Sequence, residues 1–336
     1  MMRLPAFSYV APRTIEDAVR ALTDAGRDGM LVAGGTDLYP NMKRRQFEPK
    51  TLVGLRAIKA LRSVAGTPRE GMTLGACATL SSVAAHPDVA RAYAGVATAA
   101  GLVSSPQLRN MGTIGGNVCV DTRCNYYNQT YEWRKAIGFC MKKEGDICLV
   151  APSSPRCWAV SSSDTAPALW SLGARIRLVG PDGERTIPVG ALFNDDGIQY
   201  LTRRPDEILT EILLPPAAGW RSVYLKLRRR GAFDFPILGV AAAARFEGEV
   251  VREARIVLGA VASLPREATK AAQALVGQRL TTEVIEAAAD AAAGPARPLD
   301  NTDLTHPYRK KVTRVYVARA LARLAGLDQG PALETV

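Results

Sequence analysis

Histidine is nearly missing from this 336-residue chain: there are two, His86 and His306, and each precedes a proline. Three-His zinc centres and HExxH metalloprotease sites are thereby excluded. A His–Pro pair reads as a turn or helix entry, so neither residue is supported as the base of a catalytic triad. Aromatic residues make up 6% of the chain, and no nucleic-acid module accompanies its basic residues, so nucleic acid is not an expected partner. No uncharged apolar stretch reaches 18 residues, so no membrane span is expected. Met1–Val10 has no apolar run of signal-peptide length, which predicts a cytoplasmic protein with reduced thiols. The GxGxxG and P-loop patterns are absent. So is any CxxC pair, although there are six cysteines.

What is present is an ordinary globular composition, 47% hydrophobic and 22% charged, long enough for two or three domains. Net charge is +11, in short clusters at Lys43–Arg45, Arg203–Arg204, Arg228–Arg230 and Arg309–Lys311. They read as a solvated basic surface, or as a docking face for an acidic protein.

Thr14 and Asp17 resemble a capping box ahead of Ile15, Ala18, Val19 and Leu22 at helical spacing. Short apolar runs at 30–33 and 52–55 read as strands. A strand at 72–77, a short helix from Ser81 and an Ala-rich helix at 89–103 follow. Regular patterning then lapses from Val118 to about Val160. A structureless loop of that length is uncommon unless it is functional. Beyond it come a helix to Leu172, a hairpin around Pro181-Asp182-Gly183 and a strand at 208–214, closed by Pro215-Pro216. Strands at 223–227, 238–246 and 250–261 and helices at 267–275, 282–293 and 306–324 complete the chain. Val312, Val315, Tyr316, Ala320 and Leu324 form the expected buried stripe of the last helix.

Two glycine pairs carry the first chemical signal. Leu31-Val32-Ala33-Gly34-Gly35-Thr36-Asp37-Leu38 joins a buried strand to a helix start, and Thr113-Ile114-Gly115-Gly116-Asn117 offers similar equipment. Glycine lets a ligand approach the backbone, and successive N–H groups near a helix start can cradle phosphate. These segments resemble the two FAD-pyrophosphate motifs of the flavin-binding medium subunits of molybdenum hydroxylases, the family of xanthine and carbon monoxide dehydrogenases. Ser163-Asp164-Thr165-Ala166-Pro167, Tyr224-Leu225-Lys226 and 254–261 resemble further signatures of that family, and the likeness spans about residues 4–324.

The resemblance implies an α+β fold: a two-part FAD-binding domain (PCMH-like), then a small antiparallel sheet with helices. The expected divisions are 1–56, 57–216 with an insertion at about 118–160, and 217–336. It implies that Asp164 takes hydrogen bonds from the flavin's sugar hydroxyls and that Lys226 lies near the isoalloxazine. From the residues alone, Asp164 reads equally as a helix cap and Lys226 as an exposed strand lysine.

The irregular segment contains Cys124, Cys140, Cys148 and Cys157, spaced C-x15-C-x7-C-x8-C. Structural zinc sites favour close pairs, whereas four thiolates in a wrapping loop can hold a [4Fe–4S] cluster. The layout resembles one branch of the family, the β subunits of 4-hydroxybenzoyl-CoA reductases, which carry such a loop and cluster. Cys77 and Cys119 read as small buried residues. Tyr126, Tyr127, Tyr131, Trp133 and Trp158 are expected to pack the loop and shield it from water.

The resemblance therefore implies an electron-transfer subunit with FAD and a [4Fe–4S] cluster. It implies a molybdopterin-containing large subunit and a small subunit with two [2Fe–2S] clusters as partners, in a dimer of three-subunit units. Electrons would come from a low-potential donor such as ferredoxin, for reductive dehydroxylation to benzoyl-CoA. The alternatives are the FAD subunit of another molybdenum hydroxylase, oxidising an aldehyde, heterocycle or acyl-CoA, and a non-redox scaffold with a zinc-stapled loop.

Overall fold

The computed structural model describes residues 3–327 and the backbone of 333–335, and three sheets organise them. The first is small and parallel. It is built from β1 (Ser8–Val10), α1 (Ile15–Ala25), β2 (Gly29–Val32), α2 (Leu38–Lys43) and β3 (Thr51–Gly54), with strand order β1-β3-β2. Thr14 caps α1 by accepting the Asp17 N–H at 3.1 Å. Gly26, at φ 53°, ends it. Ala18, Val19 and Leu22 bury against Val53, Leu55 and Cys77, which ties this sheet to the next region. No strand was expected at β1.

The second region contains β4 (Val64–Thr67), β5 (Gly71–Gly75), α3 (Leu80–Ala85), α4 (Pro87–Ala92), α5 (Ala94–Leu102), α6 (Pro106–Arg109), α7 (Ile114–Val118), α8 (Tyr131–Ala136), α9 (Thr165–Ser171), β6 (Arg175–Gly180), β7 (Gly183–Pro188) and β8 (Ile208–Leu214). Its sheet is antiparallel in the order β4-β5-β8-β6-β7. The Ala-rich segment expected as one helix is two. Tyr93 leaves helical geometry at φ −127°, ψ 48°, buries its ring completely and donates its hydroxyl to Pro215 O at 2.7 Å. The second glycine motif is itself the start of a helix, α7, rather than an open turn.

The third sheet contains β9 (Trp220–Arg228), β10 (Leu238–Glu247), β11 (Val250–Gly259) and β12 (Arg266–Glu267), followed by α10 (Thr269–Gln273), α11 (Thr282–Ala292), α12 (His306–Leu324) and the strand β13 (Leu333–Thr335). The order is β12-β11-β10-β9-β13, with β13 parallel to β9 and the other pairs antiparallel. The helix expected from 267 begins later because Arg266 and Glu267 pair with β11.

β10 is apolar on both faces, as a strand covered on both sides requires. Leu238, Val240, Ala242 and Ala244 face the terminal helices, while Ala241 and Ala243 join the core of the preceding region. The stripe expected on α12 holds at Val312, Tyr316, Ala320 and Leu324 and fails at Val315, which is exposed. Thr313, Val317 and Leu321 are buried in its place. The basic clusters are not all surface either: Arg228 and Arg309 are buried. Among the described residues no helix is long and apolar enough to cross a membrane.

Candidate functional site

A cleft of about 360 Å³ opens between the first sheet and the second region. Residues 31–38, Thr113, Gly115, Gly116, Asn117 and Asp164 line it; Ile114 turns into the core instead. The β2–α2 loop is its most ligand-ready wall. Gly35 adopts φ 71°, and among the described residues the N–H groups of Gly34, Gly35 and Thr36 have no hydrogen-bond partner. Successive free N–H groups in such a turn make an anion-binding concavity. Gly34 is needed for a second reason. A Cβ there would lie 2.1 Å from Met111 O and 3.0 Å from Gly112 Cα, so the two glycine loops pack backbone against backbone and form one cradle.

The second motif contributes differently from expectation. Ile114 N–H donates to Ala78 O, Gly115 N–H to Ala76 O and Asn117 N–H to Thr113 O, each at 2.9 Å. Gly116 N–H donates to Thr113 Oγ1 at 3.2 Å. Most of its backbone donors are thus spent inside the protein. Gly115 is a packing glycine, its added Cβ falling 2.7 Å from that of Ala76. Asn117 Oδ1 braces α9 by accepting from Ser163 Oγ, Thr165 N and Thr165 Oγ1. Asp37 is likewise engaged: it accepts from Asn41 Nδ2 at 3.0 Å and from the Arg123 guanidinium.

Asp164 and Lys226 find each other. Lys226 Nζ donates to Asp164 Oδ2 at 2.8 Å and to Leu102 O at 3.1 Å, and Tyr224 donates its hydroxyl to Asp164 Oδ1 at 2.7 Å. Asp164 and Lys226 are almost completely buried. The exposed-lysine reading of Lys226 fails, and so does the cap reading of Asp164: Ser163 Oγ accepts the Ala166 N–H instead. Burial, the larger influence, pushes the Asp164 carboxyl up and the Lys226 ammonium down, against their mutual attraction. Lys226 does not line the cleft, and both Asp164 oxygens are already partnered. The pair therefore braces the wall between α9 and β9 rather than presenting free groups to a ligand.

The sequence did not single out several other cleft residues. Asp121, Arg123, Tyr200, Phe233 and Phe235 line it, as do Cys77 and Cys119. Arg123 stacks on Phe235 at 4.0 Å. Asp121 Oδ2 and Arg123 Nε are buried without a partner among the described residues, as polar atoms awaiting a ligand would be. Phe233 is exposed and sits at φ 73°, its N–H bonded to Ser104 O at 3.0 Å. The cleft fits a flavin dinucleotide: it has an anion cradle, unpaired polar atoms and aromatic edges.

Behind one wall lies the second constellation. Cys124, Cys140, Cys148 and Cys157 are buried and together line one small void, and none is in a disulfide. Among the described residues no three Cys, His, Asp or Glu side chains converge closely enough to hold a single ion. Four thiols spread around a void suit a cluster better than one tetrahedral ion. Burial pushes the Cys124 thiol up to about 12 and the Cys157 thiol up to about 11, and the neighbouring cysteines add to the rise. Binding there must therefore release protons. Ala159 N–H points at Cys157 Sγ, 3.4 Å away.

The loop is held from every side. Arg134, fully buried, donates to Arg44 O at 2.9 Å, and Gln46 Nε2 donates to Tyr127 O at 2.6 Å. Asn301 bridges it to the third region through Asn125 N and Trp158 O. Of the aromatics expected to shield it, Tyr126 and Tyr127 line the void, and Arg156 stacks on Trp158 at 3.6 Å. Tyr131 and Trp133 are exposed, because α8 buries only Arg134.

Residues 5–217 match the family described as "FAD binding domain in molybdopterin dehydrogenase", and 222–324 match the "CO dehydrogenase flavoprotein C-terminal domain". The carbon monoxide dehydrogenase medium chain of Hydrogenophaga pseudoflava is 31% identical over 94% of this chain and 96% of its own. The aldehyde oxidoreductase FAD-binding subunit PaoB of Escherichia coli K12 is 31% identical over 78% of this chain and 83% of its own. The solved carbon monoxide dehydrogenase of H. pseudoflava superposes with a TM-score of 0.79 at 29% identity, covering 95% of this chain and 97% of that one. The first family description and that of PaoB name FAD; none of these descriptions names an iron–sulfur cluster in this subunit.

Proposed function

The chain belongs to the family of FAD-binding medium subunits of molybdopterin dehydrogenases, and from that premise we propose that it is an electron-transfer subunit holding FAD in the cleft and a [4Fe–4S] cluster in the cysteine loop. FAD exchanges single electrons and electron pairs, and the cluster single electrons. The chain's own residues bind and orient. The free N–H groups of Gly34, Gly35 and Thr36 receive the pyrophosphate. Thr113 adds a hydroxyl, and Asp121 and Arg123 border the rest of the cleft. The Asp164–Lys226 pair and Asn117 keep the wall rigid. Cys124, Cys140, Cys148 and Cys157 supply four thiolates.

The observation that carries the reading is the convergence of four cysteines, spread over 34 positions of irregular chain, on one buried void. Through the resemblance of this loop to one branch of the family, we read electrons as passing inward, from a low-potential donor such as ferredoxin toward a molybdopterin-containing large subunit and a small subunit with two [2Fe–2S] clusters. The reaction served in this reading is reductive dehydroxylation of 4-hydroxybenzoyl-CoA. The overall similarity to carbon monoxide dehydrogenase and aldehyde oxidoreductase subunits supports a second reading, in which substrate is oxidised and electrons flow outward. Replacing Cys140 or Cys148 with Ser tests the cluster: iron and the broad visible absorbance should be lost while bound FAD stays. Unchanged iron would overturn the ligand assignment.

A further inference from the structure

Between the cleft and the cysteine void lies a buried lysine that the electron-transfer reading does not use. The side chains of Lys142 and of its partner Asp121 are each 6% exposed. Lys142 Nζ donates to Asp121 Oδ1 at 2.6 Å, to Gly197 O at 2.8 Å and to Thr122 Oγ1, with Thr122 O at 3.2 Å, and it lies 4.5 Å from the Tyr127 ring centroid. Its stem lines the same void as the four cysteines, whereas Asp121 lines the flavin cleft. Gly197, which holds the ammonium, packs directly on Cys157: a Cβ there would fall 2.7 Å from Cys157 Sγ, and its N–H donates to Cys157 O at 2.9 Å. Cys124 is three positions along the chain from Asp121, at most about 11 Å of extended backbone. An ion pair thus sits in the wall, with Lys142 bordering the cysteine void and Asp121 the cleft.

A buried ion pair is a costly way to fasten a loop, since apolar residues of similar volume commonly serve as well or better. Its distinguishing property is its field. Four thiolates around a cluster carry net negative charge, which deepens by one on reduction. Inside a protein a fixed charge acts strongly on that step. We propose that Lys142 is a positioning residue that sets the reduction potential of the four-cysteine site, its ammonium favouring the added electron and Asp121 opposing it. The inference rests on the cluster reading above. The reduction concerned takes one electron and makes or breaks no bond at Lys142.

The test is an anaerobic redox titration of the complete protein with dithionite, followed by visible and electron paramagnetic resonance spectra, on wild type, Lys142→Met and Asp121→Asn. Loss of the ammonium should make the cluster roughly tenfold harder to reduce, about 59 mV more negative for a one-electron couple. Loss of the carboxylate should move the potential the opposite way. A purely structural role predicts no such opposition of sign, and potentials that stay put or move together overturn the proposal. If Lys142→Met fails to retain iron, Asp121→Asn decides alone, and an unshifted potential there refutes it. Wild-type protein lacking iron would instead overturn the cluster reading itself, so the two failures are distinguishable.

Discussion

Gly34→Ala isolates the contact on which the flavin cradle depends. The added methyl would sit 2.1 Å from Met111 O and 2.7 Å from Met111 C. These are backbone atoms of the facing loop, so no side-chain rotation relieves the clash, and the loops must part by more than about 1 Å to restore ordinary contact. Overpacking of this kind costs about 1–3 kcal/mol. The ligand-free protein relaxes by opening the cradle, and binding FAD must close it again. At 1.4 kcal/mol per tenfold, affinity should fall by about 5- to 150-fold. Gly101→Ala is the control: it lies in α5 outside the cleft lining, and its methyl would meet Ala84 Cβ at 3.7 Å, an ordinary contact. The assay is titration of flavin-free protein with FAD, read by quenching of flavin fluorescence. Wild-type affinity in Gly34→Ala, or an equal loss in both variants, would refute the argument that the β2–α2 loop is the pyrophosphate cradle.

Asp164→Asn leaves the fully buried Lys226 without its carboxylate and should cost about 3–5 kcal/mol in denaturant unfolding. A double variant with Asp164→Leu and Lys226→Met should recover most of that loss, and equal destabilisation of both would contradict the bracing role. Glu207, buried and held below the usual carboxylate range chiefly by the Arg185 guanidinium at 2.7 Å, stabilises the fold above its unfolded pKa. Glu207→Gln should therefore cost about 1–3 kcal/mol at pH 7, with the difference shrinking as pH falls below about 4.5. A pH-independent difference would show that the pairing is not electrostatic.

Local signals served well where one periodicity dominated. The helix at 306–324 and the strand at 208–214 end where the pattern ends. Glycine pairs pointed to the cleft because a side chain at Gly34 would meet the facing backbone and one at Gly35 would fall 2.3 Å from the Tyr39 ring. Their division of labour was hidden, since which N–H groups remain free is decided by partners such as Ala76 and Ala78, far away in sequence. Lys226 looked like a surface residue because nothing near it in sequence announces Asp164 or the Leu102 carbonyl. Lys142 was one lysine among many for the same reason. Val315 fell on the expected stripe of α12 but faces solvent, because the sheet draws Thr313, Val317 and Leu321 inward instead. Tyr93 broke the Ala-rich helix through a tertiary hydrogen bond that helix propensity does not register.

The central claim is that one chain holds a flavin in the cleft and a four-iron cluster in the void behind its wall. Metal and flavin analysis of protein purified without oxygen addresses it directly. About four iron atoms and one FAD per chain are expected, with the iron lost and the flavin largely retained on mild oxidation. One zinc and no iron per chain, or FAD with no metal at all, would contradict it.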